Sequence, residues 1–157
     1  MVKEFNTQTE VSVGLEILWQ ALSKDLAAIA PKVNPQLVKE VQMIEGDGGV
    51  GTILLFTLCS NFTGGSTVGY QKEKISELDA VSREIGIEVV EGGYLNRGFS
   101  YFKTRFQLSA KAEDQTVVDV KIYYESENEE ISDQIKTAES TYFHFFRKLE
   151  KYLFNSA

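Results

Sequence analysis

The chain holds one cysteine, one histidine and two prolines in 157 residues, and each scarcity excludes something. A single thiol, Cys59, forbids an internal disulfide and suits a reducing compartment. Its strand run, Leu55-Phe56-Thr57-Leu58-Cys59, reads it as a small buried hydrophobe. His144 is flanked by Phe143, Phe145 and Phe146, so any Ser/His/Asp or Cys/His constellation has only this crowded helical residue to use. A structural role for His144 is the expectation. Metal binding needs several His, Cys or carboxylate ligands at short spacing; none occurs, and no metal or cofactor is expected. Basic runs are absent too: 16 Lys and Arg stand against 23 Asp and Glu, a net charge of −7, with no three bases together. Phosphate neutralisation needs concentrated positive charge, so a nucleic-acid partner is disfavoured. No apolar stretch approaches the roughly 20 residues that span a bilayer, which disfavours a membrane partner. Met1 leads straight into polar, strand-like sequence, so no signal peptide is expected. The expected setting is cytoplasmic, with the nucleus also open, for a monomer or weak dimer.

What is abundant is glycine in one place. Glu45-Gly46-Asp47-Gly48-Gly49-Val50-Gly51-Thr52 sets four glycines between two apolar runs, a density that marks φ > 0 or close approach. Gly49 is expected at positive φ. A phosphate-cradling loop would continue Gly-Lys-Ser/Thr into a helix. Here Thr52-Ile53-Leu54-Leu55 follows, a β-rich run with neither lysine nor helix. The residues predict a rigid hairpin instead.

Length predicts one domain, residues 1–157. Residues 3–11 read as a strand with Phe5, Thr7, Thr9 and Val11 on one face. Ser12 can cap a short helix carrying Leu15, Leu18, Trp19 and Leu22. A second short helix, Leu26 to Ala30, runs into Pro31, and Pro31 and Pro35 bracket a turn. From Val38 to Glu125 about six strand-like runs follow, with breaks near 46–51, 60–66, 78–79, 91–98 and 109–115, an antiparallel meander. Ser126-Glu127-Asn128-Glu129 fits a capping box. After it Ile131, Ile135, Ala138, Tyr142, Phe145, Phe146, Leu149 and Leu153 recur at helical spacing along about 36 Å. The class is α+β: a strongly curved antiparallel sheet wrapped around one long C-terminal helix.

Strand parity separates the faces. Phe102, Thr104, Phe106 and Leu108 point inward, away from Lys103 and Arg105; so do Val118, Val120 and Ile122, and so do Val81, Ile85, Ile87 and Val89. In 68–76, Lys72 and Lys74 share one parity while Gln71 and Glu73 share the other. If the lysines reach solvent, Gln71 and Glu73 face the hollow. A buried carboxylate is costly unless hydrogen-bonded, so these two are either a structural network or the orienting groups of a ligand site. A bulge that slips parity would instead put Glu73 on the surface.

The glycine octapeptide and the opening Met1–Glu10 decapeptide resemble the plant pathogenesis-related proteins of class ten, the Bet v I family. The opening, Leu22-Ser23-Lys24-Asp25, Gly92-Gly93-Tyr94-Leu95 and the tail are similar to a narrower group, the legume cytokinin-specific or phytohormone-binding proteins. The match runs from Met1 to about Tyr152. It implies the helix-grip fold, with seven strands around the long helix, two short helices and an enclosed cavity. It also implies non-covalent binding of a small plant hormone, a cytokinin such as zeatin or a gibberellin, by a chain that is not an enzyme. In those relatives a Tyr-Gln-x-Glu segment supplies polar contacts, and Tyr70-Gln71-Lys72-Glu73 stands there, so Gln71 and Glu73 are carried over as ligand-binding. Thr141 and Tyr142 follow from the helix segment that holds the ligand in the relatives. Their plainer reading is packing, with the Thr141 hydroxyl bonded to its own backbone. Leu22, Leu26, Phe56, Val90, Phe102 and Phe146 are candidates for the apolar walls, each equally consistent with core packing. Ser60–Thr67 is longer and richer in glycine than in the cytokinin binders, which bears on ligand selectivity. The alternatives are a ribonuclease, a condensing enzyme using a lysine inside the cavity, and a ligand-gated interaction module like the abscisic-acid receptors. Lys103 and Lys121 point outward by parity, and no gate or latch motif is evident.

Overall fold

Alternating apolar and polar residues build seven strands: β1 (Lys3–Val11), β2 (Val38–Glu45), β3 (Ile53–Leu58), β4 (Gly69–Asp79), β5 (Glu84–Gly92), β6 (Phe99–Ala112) and β7 (Gln115–Ser126). The computed structural model describes residues 1–59, 69–128 and 131–155. All pairing is antiparallel, in the order β1-β7-β6-β5-β4-β3-β2, so β2 to β7 meander and β1 joins beside β7. Helices α1 (Leu15–Ser23) and α2 (Leu26–Val33) follow β1, and α3 (Ser132–Asn155) follows β7. The result is the expected curved seven-stranded sheet with one long and two short helices.

Parity holds along β6 and β7. Phe102, Thr104, Phe106 and Leu108 are buried on β6, and Thr116, Val118, Val120 and Ile122 on β7. The register sets Phe106 opposite Val120 and Thr104 opposite Ile122. Helix α3 lies on this face: the rings of Tyr142 and Phe146 meet Phe106 edge-on at 5.3 and 5.6 Å, the geometry aromatic quadrupoles favour. Ile135, Ala138 and Leu149 complete its buried stripe.

Local details differ from expectation for identifiable reasons. Ser12 caps nothing: its N–H is held by the Glu150 carboxylate at 2.7 Å, and Gly14 occupies the N-cap position of α1. Helix α2 continues through Pro31 to Val33, closed by the Asn34 N–H on the Ala30 carbonyl at 3.0 Å. The proline ring forfeits one backbone bond in a helix of two turns, which packing tolerates. Ser126 ends β7 and donates to the Gly98 carbonyl at 2.6 Å, so α3 starts six residues later, at Ser132; Glu129 lies outside the described residues. Val81 is 94% exposed, because the turn falls at 80–83 rather than 78–79. Cys59 is half-buried at the end of β3, its thiol 3.4 Å from the Pro35 carbonyl. The segment Ser60–Thr67 lies outside the described residues.

The glycine hairpin is tied by its own side chains. Asp47 accepts the Gly49 N–H at 3.0 Å, and buried Thr52 accepts that of Gly48 at 2.8 Å. Gly46, Gly48 and Gly51 carry positive φ; Gly49 does not, which corrects the expectation for it. Two of the amides a phosphate would need are already occupied.

Candidate ligand-binding site

Gln71 sits on β4 opposite Phe56 on β3 and Gly92 on β5. It is buried. Its Oε1 accepts the Tyr94 backbone N–H at 3.3 Å, and its amide bonds the carboxyl of Glu73. Gly92 and Gly93 have φ of +73° and +50°, and a Cβ built on Gly93 would lie 1.9 Å from Gln71 Oε1. Only glycine lets the chain pass this close over the Gln71 amide. The Gly-Gly-Tyr segment is thus the clamp that orients Gln71.

The strands slip by one residue beside this point: Lys72 pairs with Glu91, but Glu73 pairs with Val89. Val90 is the extra residue and is 36% exposed. Its assignment to the apolar wall is therefore corrected; a bulge turns the side chain out. Glu73 itself stays inward. Burial pushes its carboxyl from the ordinary 4.5 up to about 7, against the opposing hydrogen bond from Gln71. Two phenols share the space. Burial raises Tyr94 to about 12, with Arg97 working against and Glu73 with the shift. Burial also holds Tyr142 well above 10.0, aided by Tyr94 and Glu73 and opposed by the hydrogen bond with Thr104. The Thr104 hydroxyl and the Tyr142 phenol lie 2.6 Å apart.

These groups border a cavity of about 130 Å³ between the sheet, α2 and α3. Leu22, Leu26, Phe56, Gln71, Glu73, Thr141, Tyr142 and Phe146 all line it. Phe102 does not: it is 1% exposed and stacked at 4.0 Å and 6° on Tyr94, which does line the cavity. Phe102 thus supports the wall without forming it, since its ring lies behind that of Tyr94. Thr141 donates its proton to the Thr137 carbonyl at 2.9 Å, as a helix-interior hydroxyl does. His144 is exposed on α3 rather than packed among its phenylalanine neighbours.

Tyr94, Phe106 and the Thr104–Tyr142 bond escaped the sequence reading as site features. The inward parity of Thr104 was legible and marked it as a polar side chain in need of a partner. Tyr94 was signalled only by the two glycines before it. Among the described residues no lysine lines the cavity. Lys103 pairs with Glu77, and Lys121 lies 3.7 Å from Glu4. A half-enclosed, aromatic-lined hollow with one near-neutral carboxyl, one oriented amide and two protonated phenols can hold an amphipathic molecule and exchange a proton with it.

Residues 1–156 match the model of the pathogenesis-related protein Bet v 1 family. Norbelladine synthase of Narcissus pseudonarcissus is 33% identical over 123 residues, which cover 78% of this chain and 74% of that protein. The major strawberry allergen Fra a 1-E of Fragaria ananassa is 30% identical over 138 residues, covering 87% and 84%. A solved structure of norcoclaurine synthase from Thalictrum flavum, in complex with dopamine and hydroxybenzaldehyde, superimposes with a TM-score of 0.80 at 24% identity over 100% of this chain and 89% of that one. The expectation of a chain that is not an enzyme is corrected by these matches, since a synthase is among its sequence relatives and another shares its fold.

Proposed function

The chain belongs to the pathogenesis-related protein Bet v 1 family, and on that premise we propose that its cavity binds a small amphipathic plant hormone, a cytokinin first and a gibberellin second. The observation that carries this reading is the Gln71–Glu73 pair, Gln71 buried and Glu73 half-buried, mutually bonded and clamped by Gly92-Gly93 on the wall of an apolar hollow. An adenine ring presents N–H donors beside ring-nitrogen acceptors. Ionised Glu73 accepts from an N–H, and the Gln71 amide can both donate and accept. Leu22, Leu26, Phe56 and Phe146 take the apolar part of the ligand out of water. The similarity of the opening, Tyr70–Glu73 and Gly92–Leu95 to the legume phytohormone binders supports the same choice, in a cytoplasmic setting.

A second reading has its own support. Glu73, held near neutral in an aromatic cavity, has the acidity of a general acid–base group, and a synthase is among the relatives. The chain would then condense an arylalkyl amine with an aromatic aldehyde, the amine nitrogen bonding the carbonyl carbon and the carbonyl oxygen leaving as water, with Glu73 moving the protons.

Isothermal titration of trans-zeatin and gibberellic acid into wild type and Glu73→Gln at pH 8 separates the readings. Saturable one-to-one binding of zeatin is expected, weakened in the variant by about 1.5–3 kcal/mol, the worth of a hydrogen bond to a charged group. Flat heats for both hormones would sink hormone binding. Product formation from dopamine and hydroxybenzaldehyde, lost in Glu73→Gln, would then establish the synthase.

A further inference from the structure

The cavity is small. At about 130 Å³ it falls below the roughly 300–1,000 Å³ usual for small-molecule sites, so a two-ring ligand reaches beyond it. Where it reaches is given by two residues. Leu37 and Thr141 line the cavity on one side and, on the other, a groove of about 350 Å³ along α3 whose remaining lining residues all carry a polar group. Thr137, Thr141, His144 and Lys148 form the helical bank of this groove, at spacings of four, three and four. At 1.5 Å per residue that stripe is about 16 Å long. Asn34 and Gln36 form the opposite bank.

The groove has a specific hydrogen-bonding character. Among the described residues no carboxylate lines it. The Thr137 and Thr141 hydroxyls have given their protons to the Asp133 and Thr137 carbonyls, both at 2.9 Å, and present acceptor lone pairs. Lys148 gives one proton to Asn34 Oδ1 at 3.0 Å and retains two more donors. The threonine lone pairs and the Lys148 ammonium, together with the amides of Asn34 and Gln36 and the Ser140 hydroxyl, match a group that donates and accepts at several neighbouring points. A ring of hydroxyls does this. A carboxylate, which only accepts, would meet the lone pairs of Thr141 as it left the cavity.

We infer that the groove is a glycosyl subsite: the ligand's apolar head occupies the cavity, and a sugar on its far end passes between Leu37 and Thr141 to lie along α3. The inference rests on the hormone reading for the identity of the head. With adenine held at Gln71 and Glu73, the side-chain hydroxyl of zeatin is that far end, so its O-glucoside is the probe.

Isothermal titration compares trans-zeatin with trans-zeatin O-glucoside on wild type, Ser140→Tyr and Lys148→Met. Ser140 is exposed on the groove, so a tyrosine there fills it without touching the core. Wild type is expected to bind the glucoside within about threefold of zeatin, and both variants to weaken the glucoside by about tenfold while leaving zeatin unchanged. Zeatin bound with the glucoside rejected by more than about thirtyfold overturns the subsite alone. A glucoside bound equally well by wild type and Ser140→Tyr overturns it as well, since the sugar then leaves elsewhere. A groove that rejects the glucoside, with gibberellic acid weakened by Lys148→Met, assigns it to a carboxylate instead. Failure of both zeatin and its glucoside removes the hormone reading and the subsite together.

Discussion

The two ends of the sheet obey one alternation and finish differently. Strands β6 and β7 run 14 and 12 residues, and on β7 every inward side chain from Thr116 to Ile122 is buried. Phe99, Phe102 and Tyr94 interlock beside them, with ring centroids 4.0–5.9 Å apart. Strands β2 and β3 run only eight and six residues, and their buried side chains, Val38, Leu54 and Phe56, cluster with Ala30 of α2. Next to them β4 points Gln71 and Glu73 inward, where β7 points valine and isoleucine. Both of these polar groups line the cavity, which makes this the hollow end. Stability is concentrated at one end of the sheet, and recognition at the other.

The sharpest way to break this contrast is Phe102→Ala. Removing a fully buried, stacked ring from the packed end should cost about 3–5 kcal/mol in urea unfolding. A loss under about 1 kcal/mol would mean that the packed end does not carry the fold.

The hollow end answers to pH. The Glu73 carboxyl titrates near 7 when folded and near 4.5 when unfolded, so the native state binds the extra proton between those values. Stability from this group is therefore complete below about pH 4.5, falls as pH rises, and is gone above about pH 7, a change of about 3 kcal/mol. Glu73→Gln should flatten that part of the pH–stability profile and make the protein more stable than wild type at pH 8. A wild-type profile that already matches the variant would remove Glu73 from the interior.

Gly93→Ala strikes the clamp between the two ends. Its Cβ would sit 1.9 Å from Gln71 Oε1 at a φ of +50°. The expected cost is about 1–3 kcal/mol of stability together with loss of the zeatin heat, as Gln71 is pushed from its place. Unchanged binding in a folded variant would show that Gln71 is dispensable. The smallest effect belongs to the outer face: Lys121→Met breaks a half-exposed pair with Glu4 and should change stability by less than about 0.5 kcal/mol and hormone affinity not at all.

The sequence made the packed end almost wholly legible, because strict alternation and helical spacing depend only on local order. Phe102 to Leu108 and Val118 to Ile122 face inward as their parity requires. The hollow end was legible where parity held, at Gln71 and Glu73. It failed two residues from Gly92, where a bulge turned Val90 outward. Bulges arise from pairing between strands, which a single strand's pattern does not encode. Tyr94 takes the wall position expected of Phe102 for a similar reason: both are aromatic, and only the stack between them decides which ring meets the cavity. Ser126 accepts the Asn128 N–H at 3.1 Å as a cap does, but its own proton goes across the chain to the Gly98 carbonyl, and α3 starts only at Ser132.

An open sheet leaves two outer rows of backbone amides and carbonyls that another molecule's strand could join, the seed of aggregation. Each border is blunted by its own device. At β1, side chains of α3 reach across the border: Arg147 donates to the Glu10 carbonyl, and Glu150 accepts the Ser12 N–H at 2.7 Å. At β2, register breaks between Val38 and Glu40 and between Met43 and Glu45 interrupt the row, and Lys39, Glu40 and Glu45 stand exposed along it. A visiting strand meets salt-bridging arms at one margin and a crooked, charged template at the other, so the helix that roofs the cavity also helps keep neighbouring molecules apart in a crowded solution.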